Sequence, residues 1–142
     1  MSYTFIGNVR AMSARSHSLG VQMIIGVLDD DSRICHILET VLAMADHSVY
    51  AYTDPLAFLA SVRPDVIDKY ECIIVDFRLS EGKSGIEIIR QVRQTYPLLP
   101  AILISGDALS RAAIEELPNV VFCQKPFHLS TLLELIHMIQ KS

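Results

Sequence analysis

Met23-Ile24-Ile25-Gly26-Val27-Leu28-Asp29-Asp30-Asp31 sets a continuous apolar run directly against three carboxylates. A second run, Cys72-Ile73-Ile74-Val75, also stops on a carboxylate, Asp76. Alternating apolar and polar residues would mark a strand with one wet face. Continuous runs of this length predict strands buried on both faces, as in a parallel sheet. Such sheets collect ligands at the carboxyl ends of their strands. The chain therefore aims three or four acidic side chains at one rim. Like charges that close call for a hard cation, and oxygen donors with a few waters suit magnesium.

Outward from these runs, strand and helix alternate from Met23 onward. Strand 23–28 is followed by helical spacing of Ile34, Ile37, Leu38, Val41, Leu42 and Ala45, with Asp31 or Ser32 to cap its start. A short strand, Val49 to Tyr52, leads to Thr53-Asp54-Pro55, a capping carboxylate with proline at the first turn of a helix that ends near Val62. Strand Cys72 to Val75, a loop over 77–84 and a helix from about Gly85 to Thr95 come next, stopped by Pro97 and Pro100. Ala101 to Ile104 is the fourth strand, Asp107 to about Glu116 the fourth helix, Val120 to Cys123 the fifth strand and Leu129 to Gln140 the last helix. This alternation predicts an α/β fold, a doubly wound parallel sheet with helices on both faces. In the last helix Leu129, Leu132, Leu133, Ile136 and Ile139 suffice for the core face, leaving Leu135 and Met138 beside it for a partner or dimer contact.

Composition is consistent with one domain. The chain has 142 residues, 51% hydrophobic and 20% charged, enough for a substantial core. Net charge is −4, and residues 1–22 contain Arg10 and Arg15 but no acid. The remainder thus carries ten basic against sixteen acidic side chains, which argues against nucleic acid as a direct partner. No apolar stretch approaches the ~20 residues that cross a bilayer, so no membrane is expected. Cys35, Cys72 and Cys123 fit neither a disulfide framework nor a zinc spacing and read as buried free thiols of a cytoplasmic protein. The five histidines, His17, His36, His47, His128 and His137, show no ligand spacing and read as surface or helix positions. Residues 1–22 lack a signal peptide's apolar core and read as a flexible extension ahead of a domain over 23–142.

Each polar cluster falls at a predicted strand end: Asp29-Asp30-Asp31, Asp76, Ser105-Gly106-Asp107 and Lys125-Pro126-Phe127. Carboxylates, a hydroxyl and an ammonium meeting on one rim make sense for phosphoryl transfer to a carboxylate. A divalent ion and a lysine clamp the phosphoryl oxygens, and the rest is positioning. Asp31 is better placed as a helix cap than as a third ligand.

In order and spacing, residues 23–140 resemble a two-component response-regulator receiver domain, of the single-domain chemotaxis-receiver kind. The resemblance implies a flavodoxin-like sheet of order 2-1-3-4-5. It implies Asp76 as phosphoacceptor and a magnesium site of Asp30, Asp29, Asp76 and the backbone carbonyl of Arg78. It further implies Ser105 as switch hydroxyl, Lys125 as the family's lysine, Pro126 as the cis-proline after it and Phe122 as the rotating aromatic. Arg78 and Asp107, two residues beyond Asp76 and Ser105, stand where the family modulates loss of the phosphoryl group. They suggest a lid-like ion pair. Two departures stand out: Leu79-Ser80 replaces the usual Met-Pro, and the step from Asp76 to Gly85 is one residue longer than usual, which Ser80-Glu81-Gly82-Lys83-Ser84 is expected to absorb.

The function so implied is a non-enzymatic, cytoplasmic signalling receiver. It would take a phosphoryl group from a histidine kinase or phosphotransfer protein. It would then switch a surface made by helix four, strand five and helix five toward an unidentified downstream protein or a second copy of itself. Two rivals are a magnesium-dependent aspartyl-phosphate phosphatase and a vestigial receiver used only for binding. The first wants a second aspartate two residues after the nucleophile; Arg78 stands there.

Overall fold

In a computed structural model, residues 22–63, 70–106 and 115–141 are described. Five strands, β1 (Ile24–Leu28), β2 (Ser48–Tyr52), β3 (Cys72–Asp76), β4 (Ala101–Ser105) and β5 (Val120–Gln124), form one parallel sheet of order β2-β1-β3-β4-β5. Helices α1 (Ser32–Met44), α2 (Pro55–Ser61), α3 (Gly85–Val92) and a C-terminal helix (Leu129–Lys141) accompany it. Residues 1–21, the greater part of the predicted fourth helix, Asp107 and His17 lie outside the described residues.

The continuous apolar runs divide cleanly by parity. Ile25 and Val27 of β1, Cys72 and Ile74 of β3, and Ile102 and Ile104 of β4 pack with Leu38 and Leu42 of α1 and Leu132 and Ile136 of the C-terminal helix. Their alternates Leu28, Ile73, Val75, Ala101 and Leu103 pack with Phe58 of α2 and Ile86, Ile89 and Val92 of α3. Two cores on opposite faces of one sheet explain why the central strands carry no polar alternation. Each large side chain so buried stabilises the fold by about 1.5–3 kcal/mol before entropy is counted.

Local chemistry fixes where the helices begin. Asp31 accepts the Arg33 N–H at the start of α1. Asp54 accepts the Ala57 N–H ahead of Pro55 in α2, and Ser84 accepts the Ile86 N–H in α3. Each such cap is worth about 0.5–2 kcal/mol.

The sequence reading and the structure differ at three places. Helix α3 ends at Val92, short of Thr95, because the chain tightens there. The Gln94 and Thr95 N–H groups reach Gln91 and Val92, three residues back, and the Arg93 guanidinium turns to the carbonyls of Leu99, Pro118 and Asn119. In the C-terminal helix Leu129, assigned to the core face, is 38% exposed, while Leu135 is half-buried against the core and Met138 is 61% exposed, as expected beside the stripe. His47 is buried, not a surface residue: its Nδ1 accepts the Met23 N–H at 3.1 Å.

Strand order places the site. From β1 the chain steps outward to β2, then crosses back to β3 on the other side of β1. The connection after β1 leaves toward the face of α1, and the connection after β3 toward the face of α3. Their divergence opens a crevice at the carboxyl ends of β1 and β3.

Candidate functional site

Asp29 follows β1 directly and is only 1% exposed. Its N–H donates to the Tyr52 carbonyl at 3.1 Å, extending the sheet pairing past β1. Its Oδ1 accepts the Asp31 N–H at 2.9 Å, which leaves Oδ2 for the crevice. Asp31 itself is turned away, with both carboxylate oxygens engaged by the Arg33 side chain. Asp30 is exposed. Asp76 ends β3 and is 6% exposed. One oxygen from each of Asp29, Asp30 and Asp76 can be chosen so that all three lie within 4.8 Å of one another.

Lys125 reaches this group from β5. Its Nζ lies 3.2 Å from Asp29 Oδ2 and 3.2 Å from Asp76 Oδ1, so one ammonium bridges two buried carboxylates. Its backbone is held as well, the Lys125 N–H donating to the Ser105 carbonyl at 2.7 Å. The Lys125–Pro126 peptide is cis. Ser105 ends β4 and is buried. Phe122 is half-buried on β5 beside Leu103 of β4. Four stretches distant in sequence thus converge, as their strand-end positions implied.

Burial raises the pKa of Asp76 to about 6, with the Asp29 charge adding to it and Lys125 opposing it. Burial likewise raises Asp29, against the pull of the Asp31 N–H and of Lys125. For Lys125 burial works against the ammonium, but Asp29 and Asp76 together outweigh it, and its pKa is raised. The cluster holds more negative charge than a single ammonium balances. Three hard oxygen donors with that surplus fit a small divalent cation. Behind the rim, Cys35 Sγ lies 3.3 Å from the Asp29 carbonyl, and burial pushes its thiol up to about 11. It fills space there as an inert side chain.

The loop after Asp76 has a closed root. Gly85 N–H donates to the Phe77 carbonyl at 2.7 Å, Leu79 N–H to the Lys83 carbonyl at 3.0 Å, and Arg78 pairs with Ser84 in an antiparallel bridge. Leu79 is buried in the core shared with α3. At the tip of the loop Glu81 (φ 62°) and Gly82 (φ 71°) both adopt left-handed backbone. Arg78 is exposed.

Residues 25–137 match the family described as response regulator receiver domain. The chain belongs to that family. Among this receiver's curated relatives, the DNA-binding transcriptional regulator NtrC of Salmonella typhimurium is 31% identical over 118 residues, covering 80% of this chain and 24% of NtrC. The response regulator protein TodT of Pseudomonas putida is 27% identical over 139 residues, covering 96% of this chain and 60% of TodT. The receiver thus corresponds to about a quarter of NtrC and rather more than half of TodT. Chemotaxis protein CheY4 of Vibrio cholerae has the same fold, with a TM-score of 0.75 at 20% identity over 84% of this chain and 99% of that one. The non-phosphorylated HemR receiver domain of Leptospira biflexa gives a TM-score of 0.75 at 20% identity, over 85% and 96% of the two chains.

Proposed function

We propose that this receiver takes a phosphoryl group onto Asp76 from the phosphohistidine of a histidine kinase or phosphotransfer protein. One carboxylate oxygen of Asp76 attacks phosphorus as the nitrogen–phosphorus bond breaks, and the imidazole leaves. The observation that supports this reading is the Lys125 ammonium 3.2 Å from both Asp29 and Asp76, a positive charge held against the carboxylate that would gain the phosphoryl group.

Asp29, Asp30, Asp76 and the Arg78 carbonyl would hold a magnesium ion, which when bound supplies positive charge for the carboxylates and the incoming phosphoryl oxygens. Lys125 neutralises a further oxygen, and the Ser105 hydroxyl accompanies it from the end of β4. Drawing Ser105 and Lys125 toward the phosphoryl group biases a two-state equilibrium, with Phe122 turning inward. The surface of the predicted fourth helix, β5 and the C-terminal helix then changes its affinity for a downstream protein or a second copy. Arg78 and Asp107 are proposed to hinder the attacking water.

We read the extent of the receiver as 23–142 and its place as the cytoplasm; no helix among the described residues is long and apolar enough to cross a membrane. The receiver is proposed to be a signalling domain and not an enzyme, since the exposed Arg78 guanidinium cannot serve as the general acid a phosphatase needs there. The test is phosphotransfer profiling against candidate kinases and phosphotransfer proteins with magnesium, using Asp76→Asn as control. One or a few donors should label the wild type rapidly and leave Asp76→Asn unlabelled. Equal labelling of both removes Asp76 as acceptor. Turnover of a generic phosphate ester points to the phosphatase, and failure to bind magnesium points to a vestigial module.

A further inference from the structure

We propose that Gly85 is a positioning residue for the Asp76 acceptor, an inference that rests on the receiver reading above. The main chain of α3 passes so close to β3 that a Cβ on Gly85 would lie 2.3 Å from the Asp76 carbonyl oxygen. It would also lie 3.0 Å from the Asp76 carbonyl carbon and 3.0 Å from Val75 Cγ1. Gly85 sits within helical backbone that any residue adopts, so what glycine provides here is space.

Neither partner can retreat freely. Asp76 is paired with Ile104 in the middle of the sheet, and the next N–H, that of Phe77, donates to the Ile104 carbonyl at 2.7 Å. On the other side α3 is held by Ile86, Ile88, Ile89 and Val92, all buried in the second core. The Gly85 N–H donates to the Phe77 carbonyl at 2.7 Å, and the Arg78–Ser84 bridge closes the loop just above. One contact therefore sets both ends of the acceptor segment, the Asp76 carboxylate and the Arg78 carbonyl. A side chain at position 85 must move one of them by roughly an ångström, and displacements of that size at a reacting centre cost on the order of a hundredfold in rate.

The experiment compares Gly85→Ala with Gly26→Ala. Gly26 is also crowded, its added Cβ falling 2.6 Å from the Tyr70 ring, a side chain and not backbone, and it lies inside the sheet away from the crevice. Both variants should lose thermal stability. Phosphorylation by phosphoramidate with magnesium is then measured per folded molecule, well below each melting temperature, together with magnesium affinity by NMR titration. Gly85→Ala should be slower by roughly tenfold to a hundredfold and bind magnesium more weakly, while Gly26→Ala stays within about twofold of wild type. Wild-type rate and magnesium affinity in folded Gly85→Ala would overturn the proposal. Should Gly85→Ala not fold, the wild type decides: its Gly85 amide resonance should shift with that of Asp76 on adding magnesium, and an indifferent Gly85 resonance overturns the assignment. If the wild type takes no phosphoryl group from phosphoramidate, the receiver reading itself fails and this inference falls with it.

Discussion

Asp76 sits where water is scarce and a second carboxylate stands alongside, which is why its pKa rises from 3.8 to about 6. Between those two values the folded state holds a proton that the unfolded state has released. Stability of the magnesium-free receiver from this group therefore falls as pH rises from about 4 to about 6. Removing the charge should relieve that cost. Asp76→Asn is expected to be more stable than wild type in magnesium-free buffer at neutral pH, by at most about 3 kcal/mol, since part of the Lys125 attraction is lost with it. The difference should shrink as the pH is lowered toward 4, and thermal melts at several pH values check it; a less stable Asn variant at neutral pH contradicts it. His47 has the opposite sign. Burial lowers its pKa below 6.5, and its Nδ1 must stay unprotonated to accept the Met23 N–H. Its contribution is present above pH 6.5 and lost as pH falls through the folded-state value. An NMR titration should find His47 half-protonated below pH 6.5, and a value above 6.5 would contradict its buried, accepting role. The sequence marked Asp29 and Asp76 because each closes an apolar run, and Lys125 because Lys-Pro-Phe follows a strand. It could not mark His47, whose buried Nδ1 accepts a backbone N–H from 24 positions away in sequence.

Secondary structure was legible where periodicity was strong and less so where side chains decide. β1 and β3 could be placed to within a residue because their runs are unbroken and end on carboxylates. The end of α3 could not, because Arg93 also bonds the carbonyls of Pro118 and Asn119, some 25 residues away in sequence and brought near by the pairing of β4 with β5. Leu129 lies outside the buried stripe for a related reason, since helical spacing gives a stripe but not its phase against the sheet. Gly26 carries no signal of its own within the run of β1, yet it makes room for Tyr70, whose ring stacks on Phe58 at 5.9 Å and whose hydroxyl meets Ser61 Oγ at 2.7 Å. Gly26→Ala should therefore cost about 1–3 kcal/mol through overpacking. Chemical denaturation measures this, and an unchanged midpoint would show that the ring yields freely.

Across the whole molecule, a sheet of order β2-β1-β3-β4-β5 brings residues from positions 29, 76, 105 and 125 to one rim while keeping a separate core on each face. The parallel sheet and the gathering of polar strand ends followed from alternating strands and helices, whereas the strand order was implied by the resemblance to receiver domains. The loop after β3 could be recognised as longer but not drawn, since its shape depends on where Leu79 is buried and where Gly85 touches Asp76. The chemistry assigned to the rim is open to a direct reading. The receiver is incubated with magnesium and phosphoramidate, any acyl phosphate is reduced with borohydride, and the digested peptides are sequenced by mass spectrometry. The account predicts homoserine at position 76 and at no other aspartate, dependent on magnesium; homoserine at Asp29, Asp30 or elsewhere, or none at all, would contradict it.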